Sequence, residues 1–456
     1  MRSAATTVMA VAVLAAGCAT PQGAGRRSTD HPGAPPADAE PRPRPGVALP
    51  DPATARQLSL DQILAYADRH APLIRLARRK AAAGAAEVEA ASPLLQENPE
   101  VGLAAGGRTI DGATFLELEA SVEQRFEIAG ERGLRIEAAE ALEKLALAEI
   151  GEARWQVHQQ VHSLFAKALM AAKKLEAADR LVAFAHELQA IATKRAEAGE
   201  TAPFTSIVAQ AEVAQARQAR VAAQQERDSV LVELAAVAGW PTTKLPPLDG
   251  ELPPVRSAPP VAQLLESALR HQPGQRSRAL AVRAAEARVR LEDREAWPEP
   301  TVGFAYGREG EADATAHVWV GTVSIPVPLW NRNQAGRARA RAELDVAQAE
   351  LDTAETWLRA RILKAAGEVD AAAERARIYG RAIVPAFNRN LTLIRRAYEL
   401  GEIDIHRVSQ IRERVLASQH QALEALADYH QAAARLEALL GTEVWGHHTA
   451  RERTTP

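Results

Sequence analysis

The chain is an internal duplication. Proline, glycine and histidine positions of its first half recur about 200 residues further along the sequence. The matched positions are His70, Pro72, Pro99, Gly102, Gly106, Gly199, Glu200 and Gly239 in the first copy, and His271, Pro273, Pro300, Gly303, Gly307, Gly401, Glu402 and Gly441 in the second. Solenoid units are only about 20 to 50 residues long, so each copy is predicted to be a complete assembly of secondary structure that packs against its twin.

The composition favours long helices that pack closely through small side chains. Aromatic residues make up only 4% of the 456 residues, and alanine, the strongest helix former, is abundant. The net charge of −3 provides no basic surface for nucleic acid, and we expect no nucleic-acid partner.

The amino terminus has the features of an export signal. Arg2 precedes a small apolar run from Val8 to Ala16, and Cys18, the single cysteine, follows it. This pattern resembles a bacterial lipoprotein signal, which implies cleavage before Cys18 and acylation of that residue. The usual motif has leucine where Ala15 stands, so a plain secretory signal is the alternative.

The rest of the chain divides into segments by composition and breakers. We predict a signal peptide at 1–17, a lipidated Pro-rich tether at 18–57, a first repeat at 58–240, a Pro-rich linker at 241–260, a second repeat at 261–441 and a tail at 442–456. No run of 18 apolar residues follows the signal, so a membrane-embedded part is predicted to consist of strands.

Each repeat is predicted to run helix, strand, strand, long helix, hairpin, helix. In the first, these are helix 60–95, strands 99–107 and 114–126 with a turn at 109–112, helix 131–196, and helix 203–239 with a Thr201 cap. In the second, these are helix 260–296, strands 301–308 and 315–327, helix 335–400 with a kink at Pro385, and helix 404–440. Helix 131–196 alone would span about 100 Å.

The four strand candidates alternate between apolar residues and small or acidic ones. Such alternation suits lipid on one face and water on the other, with Glu117, Glu119 and Glu123 facing a lumen. Four strands cannot close a barrel, and unpaired edges are not tolerated in lipid. Three chains would supply twelve strands. The alternative is a water-soluble sheet that caps a helical bundle.

Two junctions between strand and helix resemble those of the TolC-type outer-membrane efflux proteins. They are Gln124–Gly133, with Arg125 where proline is common, and Ile325–Gln334. The resemblance covers residues 58–441 and is greatest to the outer components of heavy-metal cation exporters. It implies a mainly α fold with a membrane β-barrel portion: a homotrimer whose twelve-stranded barrel continues into a helical barrel of twelve staves.

The resemblance also implies a function and partners. The trimer would be a passive exit duct for small solutes such as metal cations or drugs. It would be lipid-anchored in the outer membrane, with its helical body in the periplasm, and would dock a periplasmic adaptor and a proton-driven inner-membrane pump. The docking tip carries over to Ala198, Gly199, Glu200, Thr201, Leu400, Gly401, Glu402 and Ile403. The alternative is a soluble periplasmic coiled-coil adaptor or a structural lipoprotein.

Four acidic residues lie at or beside the two hairpins: Glu197, Glu200, Glu402 and Asp404. Threefold symmetry would gather them around one opening, where they would attract cations and repel one another. We therefore predict an acidic gate, and the alternative is that these side chains only cap and solvate helix ends.

Two histidine pairs have a spacing that metal sites use. His158 and His162 lie four residues apart on a predicted helix, and His447 is followed by His448. No cysteine pair or further ligand accompanies them in the sequence, so no metal site is predicted. The sequence also contains no nucleophile or phosphate-loop motif, and we expect neither an enzyme nor a cofactor.

Overall fold

The computed structural model describes residues 48–445 except 111–112, 243, 251, 312–313 and 383. The first repeat contains helices α1 (Leu60–His70) and α2 (Pro72–Ala91), strands β1 (Glu100–Ile110) and β2 (Ala113–Arg125), and helices α3 (Glu131–Glu197) and α4 (Phe204–Ala238). The second contains α5 (Val261–His271), α6 (Pro273–Arg294), β3 (Thr301–Glu311), β4 (Ala314–Ser324), α7 (Gln334–Ala382), α8 (Val384–Glu399) and α9 (Ile405–Leu440). The signal segment, Cys18 and the pair His447–His448 lie outside the described residues.

Each repeat opens with two helices, so the prediction of one continuous helix at 60–95 and at 260–296 was wrong. Ala71, with φ −54° and ψ 130°, ends α1, and Gln272, with φ −69° and ψ 114°, ends α5. A proline follows each break as the first residue of the next helix, where its missing N–H is not needed. Proline disfavours helical geometry in the residue before it, which explains both breaks.

The four described strands form one antiparallel sheet in the order β1-β2-β3-β4. Thr109, which was expected in the turn at 109–112, belongs to β1 and pairs with Thr114, with 3.0 Å between their hydroxyl oxygens. Strands β2 and β3 join the two repeats, with Val122 opposite Phe304. The outer edges of β1 and β4 have no partner strand among the described residues of this chain.

The long helix is continuous in the first repeat, and in the second it is described as two segments. Helix α3 has 67 residues and would be about 100 Å long. In the second repeat α7 ends at Ala382 and α8 begins at Val384, and position 383 between them lies outside the described residues, so the kink at Pro385 stays a prediction.

The three largest buried clusters among the described residues hold the helices together. In the first repeat, residues of α1, α2, α3 and α4 pack with Leu58, Trp240 and Leu245. In the second, residues of α5, α7 and α9 form the equivalent cluster. A third cluster lies near the hairpins and combines α3 and α4 of one repeat with α8 and α9 of the other. This last cluster places the two hairpins side by side.

Candidate functional site

The two helical hairpins have the same backbone geometry. Gly199, two residues after the end of α3, has φ 77°, and Gly401, two residues after the end of α8, has φ 75°. The N–H of Glu200 donates to the Arg195 carbonyl at 2.9 Å, and the N–H of Glu402 donates to the Ala397 carbonyl at 2.9 Å. These bonds form Schellman motifs, which satisfy carbonyls at helix ends and use a left-handed residue that glycine adopts without strain.

The helices that leave the two hairpins begin differently. Helix α4 has Pro203 as its first flanking residue and no side-chain cap, so the prediction of a Thr201 cap was wrong. The Thr201 hydroxyl is buried and makes no hydrogen bond within the described part of the chain. Helix α9 is capped by Asp404, whose carboxylate accepts the N–H of Arg407 at 2.7 Å. Asp404 therefore has a structural role in addition to any role in a gate.

Arg195 links the two hairpins. Its Nη1 donates to the Tyr398 carbonyl at 2.9 Å, and its Nε lies 3.4 Å from an Oε2 carboxylate atom of Glu200. The Tyr398 ring is buried in the shared cluster, and burial raises the pKa of its phenol. A Cβ atom at Gly401 would lie 3.1 Å from Arg195 Nη2, so this glycine also makes room for the guanidinium.

The sequence reasoning missed Arg195 and Tyr398. The duplication carries a signal for them, because the two copies differ at these positions. Ala397 in the second copy corresponds to Arg195 in the first, and Ala196 in the first copy corresponds to Tyr398 in the second. Because the hydrogen bond uses the main-chain carbonyl of Tyr398, the difference between the copies at Arg195 is the part of this signal that bears on the link.

The predicted tip residues lie together at this end of the molecule. Glu197, Glu200, Glu402 and Asp404 are exposed, as are Ala198, Gly199, Leu400 and Gly401, and Ile403 is half-buried. The rings of Phe204 and His406, one from each returning helix, are 6.4 Å apart. Both hairpins therefore contribute to one surface that carries four carboxylates, one of them paired with Arg195.

The sheet has one apolar face that is open to the surroundings. The pairing register puts large apolar side chains of all four strands on this face: Val101, Leu103, Leu116, Leu118, Val122, Val302, Phe304, Trp319 and Val323. All of them are exposed within this chain. An exposed apolar surface of this extent marks a contact with lipid or with another protein.

The opposite face carries mainly small and charged residues, together with Phe115, Val318 and Val320. Glu117, Glu119 and Glu123 lie on it opposite Gly106, Ala104 and Glu100 of β1. Arg108 forms ion pairs there with Glu117 and, at 3.2 Å, with Glu309 of β3. In β1 to β3 the two faces thus differ in polarity as the alternation of the sequence predicts, and the glutamates share the polar face, whereas β4 has valines on both faces.

His158 and His162 have a third polar neighbour, Glu437, that the sequence did not reveal. Ligand atoms of His158, His162 and Glu437 all lie within 4.8 Å of one another. The two histidines belong to α3 and the glutamate belongs to α9, about 275 residues later in the chain. No local pattern connects such distant positions.

No helix among the described residues is both long enough and apolar enough to cross a membrane.

Comparison with known proteins agrees with the duplicated architecture. A family model described as outer membrane efflux protein matches residues 64–240 and again residues 264–442. The cobalt-zinc-cadmium resistance protein CzcC of Cupriavidus metallidurans is 25% identical over 315 residues, which is 69% of this chain and 75% of that protein. The nickel-cobalt-cadmium resistance protein NccC of Alcaligenes xylosoxydans xylosoxydans is 28% identical over 233 residues, 51% of this chain and 52% of that protein.

A solved structure shows that the fold is shared. The outer membrane channel CmeC of Campylobacter jejuni superimposes with a TM-score of 0.66 at 14% identity, covering 84% of this chain and 85% of CmeC. The family match spans both repeats and most of the described residues. The chain belongs to the outer membrane efflux protein family.

Proposed function

We propose that this chain forms a trimeric, passive exit duct in the outer membrane for a tripartite efflux system. The observation that carries the proposal is the four-stranded sheet, which combines an exposed apolar face with two edges that pair with no strand of the described residues. In water such a sheet would aggregate, and in lipid its open edges would each lose several kcal/mol of hydrogen bonding. Pairing β1 of one chain with β4 of the next removes both problems.

Three chains would close a cylinder of twelve strands, an even number within the range of bacterial barrels. The face with Leu103 and Trp319 would contact lipid, and the face with Glu117, Glu119 and Glu123 would line a water-filled lumen. The long helices would continue the duct as a helical barrel. After removal of the signal segment, the lipid anchor on Cys18 and the tether up to residue 57 would hold the amino terminus at the same membrane.

The hairpin tip would be the end that docks the periplasmic adaptor and, through it, a proton-driven inner-membrane pump. The surface formed by residues 198–201 and 400–403 supports this assignment, because both hairpins expose their turns there. In a trimer the tip carboxylates of Glu197, Glu200, Glu402 and Asp404 would surround one opening. Such a ring would concentrate cations and disfavour anions.

We propose divalent metal cations as the cargo. Two relatives are named for resistance to cobalt, zinc, cadmium or nickel, and the acidic tip and the lumen glutamates suit cations. The selection of the cargo is expected to lie in the pump, because a wide duct has no enclosed binding pocket.

Two matched substitutions test the membrane arrangement. Leu103→Arg puts a charge on the apolar face and Ala104→Arg puts the same charge on the polar face of the same strand. A charge on the lipid face costs roughly 2 to 4 kcal/mol near the bilayer centre. We expect Leu103→Arg to abolish outer-membrane insertion and the trimer, and Ala104→Arg to insert and to conduct fewer cations. Equal behaviour of the two variants, or a soluble wild-type monomer, contradicts the duct and favours a soluble periplasmic protein.

The gate has a separate test. Replacing Glu197, Glu200 and Glu402 by glutamine and Asp404 by asparagine removes the tip charges while preserving side-chain size. We expect reduced cation selectivity in single-channel recordings from lipid bilayers. An unchanged selectivity and pH profile rejects the gate and leaves these residues as helix caps.

A further inference from the structure

Where α3 meets the carboxyl end of α9, three side chains of types that can bind metal ions lie close together. His158 and His162 lie one helical turn apart on α3, and their rings are 4.4 Å apart. Glu437 approaches them from α9, and the ligand atoms of the three residues all lie within 4.8 Å of one another. The cluster is far along the chain from the hairpin tip and from the strands.

The cluster is buried. Glu437 is 2% exposed and His162 is 8% exposed, while the side chain of His158 is 12% exposed. A buried carboxylate is costly unless a positive charge or hydrogen bonds compensate it. The Glu437 carboxylate accepts the N–H groups of Val444 at 2.9 Å and Trp445 at 3.2 Å, and both bonds use its Oε1 atom. These two bonds fix its orientation toward α3.

We propose that His158, His162 and Glu437 bind a divalent transition-metal cation of the zinc class. Two imidazoles and one carboxylate are a ligand set that zinc uses. A tetrahedral zinc site has donor atoms about 3.3 Å apart, so the donors here need to approach by no more than about 1.5 Å. Small side-chain rotations supply that movement.

A further carboxylate lies beside His158 and could serve as a fourth ligand. Glu443 lies in the segment after α9, and its Oε1 is 3.8 Å from His158 Nε2. Its side chain is 29% exposed, so this side of the cluster is where a cation would enter. The backbone hydrogen bonds to Glu437 would act as outer-shell contacts that hold a ligand in place.

A cation at this position would join the two repeats. It would connect α3 of the first repeat to the end of α9 in the second, and would hold the segment that follows Gly441. A cation that binds the folded chain but not the unfolded chain would stabilise the folded state. The site would be structural, and the proposal does not rest on the transport of metals through the duct.

The competing explanation is a metal-free network in which the imidazoles and the carboxylate interact directly. Both explanations are compatible with the burial of the three side chains. Only the first predicts that the protein binds a metal cation at this position. The test uses the full-length protein purified in detergent, stripped with a chelator, and then titrated with Zn²⁺ alone. His162→Gln and Glu437→Gln remove one ligand each, and the second variant keeps an oxygen that can accept the backbone N–H groups.

His186→Gln is the matched control, because His186 is an exposed histidine on the same helix. We expect one high-affinity zinc per chain in wild type and in the control, and at least about tenfold weaker binding in both ligand variants, since loss of even an outer-shell partner has such an effect. Equal zinc affinity in wild type and the ligand variants overturns the site.

A second measurement covers the case in which a variant does not fold. Wild-type protein loaded with Co²⁺ should show the visible absorption of a four-coordinate site, and added Zn²⁺ should displace it and raise the melting temperature. A wild-type protein that shows neither the absorption nor the shift in melting temperature overturns the proposal without any variant.

Discussion

Gly239 packs directly against the backbone of His70. A Cβ atom at position 239 would lie 2.6 Å from the His70 carbonyl carbon and 3.1 Å from the Ala71 nitrogen. Gly441 has the same relationship to His271 in the second repeat, where a Cβ atom would lie 2.8 Å from the carbonyl carbon. In both repeats the end of the last helix thus fits into the break between the first two.

Gly239→Ala and Gly441→Ala should therefore destabilise the fold. Both glycines have positive φ, 73° and 69°, which costs an alanine roughly 1 to 2 kcal/mol, and the collision with the carbonyl group adds to this. Gly367→Ala is the control, because Gly367 lies within α7 with open space around it and alanine there should stabilise by about 1 kcal/mol. The melting temperatures of all three variants are measured by thermal unfolding monitored by circular dichroism. Unchanged melting of both cap variants would contradict the close packing.

The buried pair of Glu212 and Arg412 should respond asymmetrically to substitution. Arg412 is 5% exposed and bonds Glu212, whose other oxygen accepts the Ser409 hydroxyl at 2.8 Å. Glu212→Leu alone leaves a buried guanidinium that cannot deprotonate, and should cost about 3 to 5 kcal/mol. Adding Arg412→Met removes that charge and should restore most of the stability. If the double variant unfolds as early as the single one, the buried charge is not the cause.

Lys174 should make stability depend on alkaline pH. Burial alone lowers the pKa of this lysine, but its bonds to Glu226 at 2.9 Å and Glu424 at 3.3 Å outweigh burial and raise the pKa above 10.5. A raised pKa means that the folded chain binds the proton more tightly. The stabilisation is complete below pH 10.5 and is lost as the pH rises through the folded value.

The comparison that checks this is wild type against Lys174→Met from about pH 9 upward. The stability difference between the two should shrink as the pH rises past 10.5. Lys144→Met, at an exposed lysine on the same helix, should run parallel to wild type. A constant difference across the range would show that the three charges do not interact in the folded chain.

Arg195→Met should loosen both hairpins. It removes the hydrogen bond to the Tyr398 carbonyl and the pairing with Glu200, and a bond from a charged donor contributes roughly 1.5 to 3 kcal/mol. Hydrogen exchange at residues 196–203 and 399–403 should accelerate about tenfold or more. Arg359→Met is the control, because the ion pair of Arg359 with Glu355 stays within α7. Acceleration confined to the first hairpin would contradict a link between the two.

The local pattern of the sequence was sufficient for the elements that depend on near neighbours. The strands follow from strict alternation, and the hairpin glycines follow from the need for a left-handed residue at a helix end. The breaks at Ala71 and Gln272 could have been predicted from Pro72 and Pro273, because proline disfavours helical geometry in the residue before it and is favoured as the first residue of the next helix. The Thr201 cap failed because Pro203, closer to α4, precedes its first residue.

The sequence by itself determined that the chain is two copies of one unit, which residues of the strands share a face, and where the long helices turn back. Only the tertiary structure decided that Arg195 reaches Tyr398 and that Glu437 lies beside His158 and His162. Such contacts depend on how each alanine-rich helix is rotated about its axis and at what angle it crosses its neighbour. Because the side chains are small, the same sequence pattern is compatible with several arrangements of the helices. The contacts between the repeats select one of those packings, and they act between residues that are far apart in the chain.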